Sequence, residues 1–133
     1  MTTLIMFINI SFFQAALRMA TPIAFGALGG MYNERAGIVN IGLEGIMLNS
    51  AFFAVYATYL TGSPIIGVLA GLGSGFFIGI IIAILTVKYQ GNQIVVGTGL
   101  NVFGLGFSAY MCQKIWGSRG ASDSIIGLGD VNT

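Results

Sequence analysis

Ile65 to Val87 is a run of 23 residues without a charged side chain. As a helix rising ~1.5 Å per residue it reaches ~35 Å, enough to cross the ~30 Å hydrocarbon core of a bilayer. Such a segment has no place on the surface of a water-soluble domain, so it commits the chain to a membrane. Gly67, Gly71, Gly75 and Gly79 recur within it every four residues, and Ala83 extends the row. That spacing places them on one helix face, where the missing side chains let a second backbone come close, so the row predicts helix packing. Gly73, Gly75 and Gly79 loosely imitate a dinucleotide fingerprint. That motif needs a preceding strand and a turn open to a soluble pyrophosphate, and neither is available inside an apolar 23-mer.

Two further segments are long enough to span. Ile41 to Leu60 carries Tyr56 and Tyr59 near its far end, where amphipathic rings favour the interface. The short turn Thr61-Gly62-Ser63-Pro64 makes it an antiparallel neighbour of the run that follows. Ile94 to Trp116 holds Gly97, Gly99, Asn101, Gly104 and Gly106, a glycine load that predicts a discontinuous helix, unwound near its start. Leu4 to Tyr32 is a broken segment. Asn9, Ser11, Gln14 and Arg18 interrupt its first half, and Pro22 disfavours helical geometry at Thr21. Two readings fit it: an interfacial Leu4–Leu17 followed by a short span Met19–Tyr32, or one kinked and tilted helix. A cleaved signal peptide is disfavoured because no basic stretch precedes the apolar one.

Composition narrows the function classes. With 56% hydrophobic and 7% charged residues and a mean hydropathy of +0.91, the chain lies far outside the range of a soluble domain. A net charge of +1 on scattered Lys and Arg offers no surface for nucleic acid. There is no histidine, only four carboxylates, a lone Cys112 and no GxxxxGK[ST] loop. No catalytic constellation, metal site or cofactor site is expected, and the chain is not read as an enzyme. The fold class is all-α: a polytopic membrane protein of about four transmembrane helices forming a single transmembrane domain over residues 1–133, with 117–133 as a polar tail.

The charged and polar residues concentrate between Gly29 and Met47, which holds Glu34, Arg35 and Glu44 together with two asparagines and five glycines. Gly29 to Gly37 reads as a break between apolar segments, and the helix restarts after it. Asn40 and Glu44 are four apart and share a face if both are helical. Orientation is not settled by charge: Arg35 and Lys88 fall on one side, Lys114 and Arg119 on the other.

ALRMATPIAFGALGGMYNERAGIVNIGLEGIML, followed by KYQGNQIVVGTGLN, resembles the amino-terminal half of the permease subunits of bacterial ABC importers for nucleosides and simple sugars, a group related to the ribose and branched-chain amino-acid permeases. The resemblance runs from about Arg18 to Gly117. It implies a multi-pass subunit of the cell membrane that pairs with a second permease chain. Cytoplasmic ATPase subunits would hydrolyse the ATP, and an extracytoplasmic binding protein would deliver solute. It also implies that the loops near Arg35 and Lys88 are cytoplasmic and that Thr61–Pro64 and the tail from Gly117 are extracytoplasmic. The family's further helices and coupling loop have no counterpart here, so an incomplete permease is expected; a non-transporting membrane module that only packs against other helices is the alternative.

Asn101, Glu44 and Asn40 are the candidate solute path, and Gly67, Gly71, Gly75 and Gly79 the candidate packing row. Each has a plainer reading. Glu44 suits the amino-terminal turn of its own helix, where the dipole favours a carboxylate. Asn101 suits a helix-to-helix hydrogen bond. Asn92 and Gln93 suit a helix cap, and Glu34 with Arg35 a solvated loop.

Overall fold

The computed structural model describes residues 10–119, 121, 122 and 125, with side chains from residue 12 onward. The expected start of the first segment at Leu4 and most of the polar tail lie outside these residues. Among them the regular structure is helical: α1 (Ile10–Arg35), α2 (Leu43–Thr61), α3 (Pro64–Ala83) and α4 (Gln93–Trp116), with a π-helical turn, Ile84–Lys88, continuing α3. The chain falls into two compact units, Met1–Gly37 and Ile38–Thr133.

In the first unit, α1 is one helix over its described residues, in line with the single-helix reading and not with an interfacial stretch followed by a separate short span, so the break that Pro22 suggests is absent. A proline at this position lacks the N–H that would pair with the carbonyl four residues back. The hydroxyl of the neighbouring Thr21 donates to the Leu17 carbonyl at 2.7 Å, one residue before the Arg18 carbonyl that Pro22 cannot serve, and the helix continues past both. The helix also continues through Gly29 and Gly30. It ends where Gly37 turns to φ +78°, a conformation glycine adopts without a Cβ penalty, and its N–H reaches the Glu34 carbonyl at 2.9 Å.

The second unit is built around α2, which packs on α3 along one side and on α4 along another. The Gly67–Gly71–Gly75 face of α3 meets a matching row of small residues on α2: Ser50, Ala54 and Thr58, also four apart. A Cβ on Gly67 would run into the Thr58 hydroxyl and come within 2.7 Å of the Ala54 carbonyl. One on Gly71 would lie 3.1 Å from the Ala54 methyl, and one on Gly75 would lie 2.9 Å from the Ser50 hydroxyl. Gly79 differs: a Cβ there meets nothing within 4 Å, so three of the four glycines share the contact. Gly75→Leu is therefore expected to lower the yield of folded chain several-fold, since overpacking a close contact costs ~1–3 kcal/mol. Gly79→Leu and Leu72→Ala, the latter at an exposed position, should leave the yield unchanged. Gel filtration of the purified variants checks this, and equal losses at positions 75 and 79 would contradict the contact pattern.

Among the described residues two helices are long and apolar enough to cross a membrane: α3 with its π-helical turn, Pro64–Lys88, and α4, whose most apolar 18-residue stretches have mean hydropathies of 2.5 and 1.5. The expected break in the fourth segment is absent. α4 runs unbroken from Gln93 to Trp116, started by Asn92, whose side chain accepts from Ile94 N at 2.9 Å and Val95 N at 3.4 Å. Irregular backbone occurs instead at Ile84–Lys88 and at Ile38–Gly42, which precedes α2.

Candidate functional site

α2 and α4 run parallel and touch through glycine on both sides. A Cβ on Gly97 would come within 2.9 Å of Gly42 N, and one on Gly104 within 2.8 Å of Gly45 Cα. Added to Gly45, a Cβ would fall 2.8 Å from the Leu100 carbonyl carbon. Gly97, Asn101 and Gly104 share one face of α4, at intervals of four and three. The glycine load of this segment is thus spent on close approach at positions 97 and 104, with no loss of helix.

Asn101 sits in the middle of this seam, half-buried, and uses both ends of its amide on the other element. Its Oδ1 accepts from Gly45 N at 2.7 Å and its Nδ2 donates to the Ile41 carbonyl at 2.9 Å. A free amide of the first turn of α2 and a carbonyl of the unwound stretch are satisfied together, which explains why an irregular strand of backbone can lie against a helix here. Gln93 adds a second tie, its Oε1 accepting from Val39 N at 2.8 Å.

Asn40 lies in the stretch Ile38–Gly42, ahead of the helix. Its Oδ1 accepts from Gly42 N at 3.1 Å, an Asx turn that leads the chain into α2. The shared helical face expected for Asn40 and Glu44 is therefore not formed, because α2 begins at Leu43, after the turn. Glu44 stands in the first turn of α2 with its side chain exposed, within reach of the positive end of the helix dipole. The structure thus brings Asn40, Glu44 and Asn101 to one place, the start of α2 where it meets α4.

Asn49 belongs to the same seam and is not among the candidates drawn from the sequence. It is only 1% exposed, the most completely buried polar side chain among the described residues, and its Nδ2 donates to the Gly45 carbonyl at 2.9 Å. Its signal was available: Gly42, Gly45 and Asn49 follow at intervals of three and four, the pattern of one helix face. Beyond Asn49 the seam becomes aromatic. Phe52 packs edge-on against Phe107 and Trp116, at centroid distances of 5.7 Å and 6.3 Å, and Tyr59 packs edge-on against Trp116 at 5.6 Å. No group of residues able to hold a metal ion occurs among the described residues.

Residues 12–130 match the family described as branched-chain amino acid transport system / permease component. The guanosine ABC transporter permease protein NupQ of Bacillus subtilis is 32% identical over 131 residues, a match covering 88% of this chain and 41% of NupQ. The nucleoside ABC transporter permease protein NupC of Lactococcus lactis is 35% identical over 103 residues, covering 73% of this chain and 32% of NupC. A protein of Haloferax volcanii provisionally named as a glucose ABC transporter permease, TsgC13, is 31% identical over 115 residues, covering 86% and 33%. The chain thus spans 32% to 41% of the length of these relatives. No solved structure matches. With the family match running from α1 through α4 and apolar helices packed through glycine, this chain belongs to the branched-chain amino acid transport permease family of polytopic membrane proteins.

Proposed function

We propose that this chain forms part of the membrane path of an ATP-driven importer for a nucleoside or a simple sugar. The observation that carries the reading is the family match over residues 12–130, joined to relatives whose names specify guanosine, nucleosides and glucose. Its partners on this reading are a second permease chain, cytoplasmic ATPase subunits and an extracytoplasmic solute-binding protein. The candidate path is the strip at the start of α2, with Glu44 as the side chain that faces solute. Asn40 and Asn101 hold the strip, since their amides are engaged by backbone. A carboxylate suits either solute class, because both present hydroxyl donors.

The test is uptake of radiolabelled guanosine by cells carrying the assembled permease, with unlabelled nucleosides and glucose as competitors. Saturable uptake suppressed by one of these solutes is the expected result. Assembly without uptake of either solute class would favour the packing-module reading, to which the engagement of both ends of the Asn101 amide also lends support.

The proposed orientation places the segments around Arg35 and Lys88 in the cytoplasm. Arg35→Cys and Lys88→Cys, each made with Cys112→Ala, should resist impermeant thiol reagents in intact cells and label once the cells are opened. Ready labelling of intact cells at either position would reverse the orientation.

A further inference from the structure

Past the glycine contact, α2 and α4 flank a half-open cavity of about 310 Å³. Its walls are apolar along most of their length, formed by Ala51 and Val55 of α2 and by Leu105 and Ala109 of α4. From Leu105 to Trp116 the α4 wall rises ~16 Å at ~1.5 Å per residue, so the space is long as well as narrow. Its polar groups are Ser108, whose hydroxyl donates to the Leu105 carbonyl at 3.3 Å within α4, and Trp116 and Ser122, at and just beyond the carboxyl end of that helix. The indole N–H of Trp116 is buried and has no acceptor among the described residues. A buried donor without a partner costs ~1–3 kcal/mol, so a group bringing an acceptor to this point is favoured.

From this geometry we infer that the cavity is a binding site for one phospholipid, its acyl chain lying between α2 and α4 and its ester carbonyl accepting from the Trp116 N–H. Three observations select this occupant. The walls are apolar over a length that suits an extended hydrocarbon chain. The orphan donor belongs to a tryptophan at a helix end, and tryptophans there lie at the headgroup level, where ester oxygens are found. A packed transmembrane helix would fill the apolar part equally well, but it would need a polar side chain at the level of the indole to accept this bond, whereas every diacyl phospholipid carries ester carbonyls there. The inference requires the membrane setting given by the family and is independent of the solute.

Trp116 is the single tryptophan of the chain, so its fluorescence reports on this site alone. The purified 133-residue chain, washed exhaustively in detergent and extracted, is expected to retain phospholipid in equimolar amount. Phosphatidylcholine brominated on the acyl carbons nearest the ester should then quench Trp116 saturably. Ala109→Phe and Ala51→Leu fill the cavity from opposite walls, and each should abolish both retention and saturable quenching while helix content by circular dichroism stays unchanged. Trp116→Phe keeps the shape and removes the donor, and it should weaken retention by about two- to tenfold, the worth of one hydrogen bond. Leu72→Ala, on an exposed face of α3, should change nothing. Absence of retained phospholipid in the wild-type chain overturns the proposal. So does quenching that rises linearly with lipid and is the same in the filled variants, or cross-linking of Cys112 to another helix of the assembled permease in place of lipid retention.

Discussion

Gly104→Leu is expected to leave little of the chain folded. A Cβ at position 104 would lie 2.8 Å from Gly45 Cα, 2.9 Å from the Gly45 carbonyl oxygen and 3.0 Å from Asn49 Nδ2. Two of these three are backbone atoms of a helix, which cannot rotate aside as a side chain can. Relief requires α2 and α4 to separate, and separation breaks both Asn101 hydrogen bonds and uncovers the buried Asn49 amide. Overpacking a tight contact costs ~1–3 kcal/mol and sometimes more, and the loss of the seam adds to it, so the folded fraction should fall by about a hundredfold. Gly106→Leu is the control, since a Cβ there meets nothing within 4 Å. Resistance to stepwise denaturation in SDS gives the folded fraction. A Gly104→Leu chain as stable as the Gly106→Leu chain would refute the close approach of α2 to α4.

Glu44→Gln should reduce solute uptake per assembled complex by roughly tenfold or more, the worth of one charge-assisted hydrogen bond of ~1.5–3 kcal/mol, with the yield of complex unchanged. Yield is expected to hold because the Glu44 side chain is exposed and glutamine keeps its shape. Asn101→Leu should do the reverse. It removes two contacts between α4 and the start of α2, each worth ~0.6 kcal/mol on average in membrane proteins, so the yield should fall several-fold while uptake per complex stays within about twofold. Uptake of labelled nucleoside normalised to purified complex separates the two effects. Loss of uptake at normal yield in Asn101→Leu would move Asn101 onto the solute path, and unchanged uptake in Glu44→Gln would remove Glu44 from it.

The membrane class and the rough limits of α2, α3 and α4 could be read from residue order alone, because each depends on local composition. Uncharged length identifies a span, and Thr61-Gly62-Ser63-Pro64 identifies a turn, wherever the neighbours lie. The Gly67–Gly71–Gly75 face was legible for a related reason: a four-residue interval maps directly onto one side of a helix. What a glycine does on that face is a different matter, since an absent side chain is compatible with close packing, with unwinding and with open space alike. Those three outcomes were separated by neighbours remote in the chain. Gly97 and Gly104 are occupied by the backbone of Gly42 and Gly45, which keeps α4 whole, whereas Gly79 has no neighbour within 4 Å. Pro22 is a further case in which a local helix breaker does not decide the outcome, since α1 runs through it from Ile10 to Arg35. The pairing of Asn101 with Ile41 and Gly45 spans 60 and 56 residues of chain, and no periodicity within either segment encodes it. It comes from the parallel approach of α2 and α4, which brings an amide of one helix to the unpaired backbone groups at the start of the other.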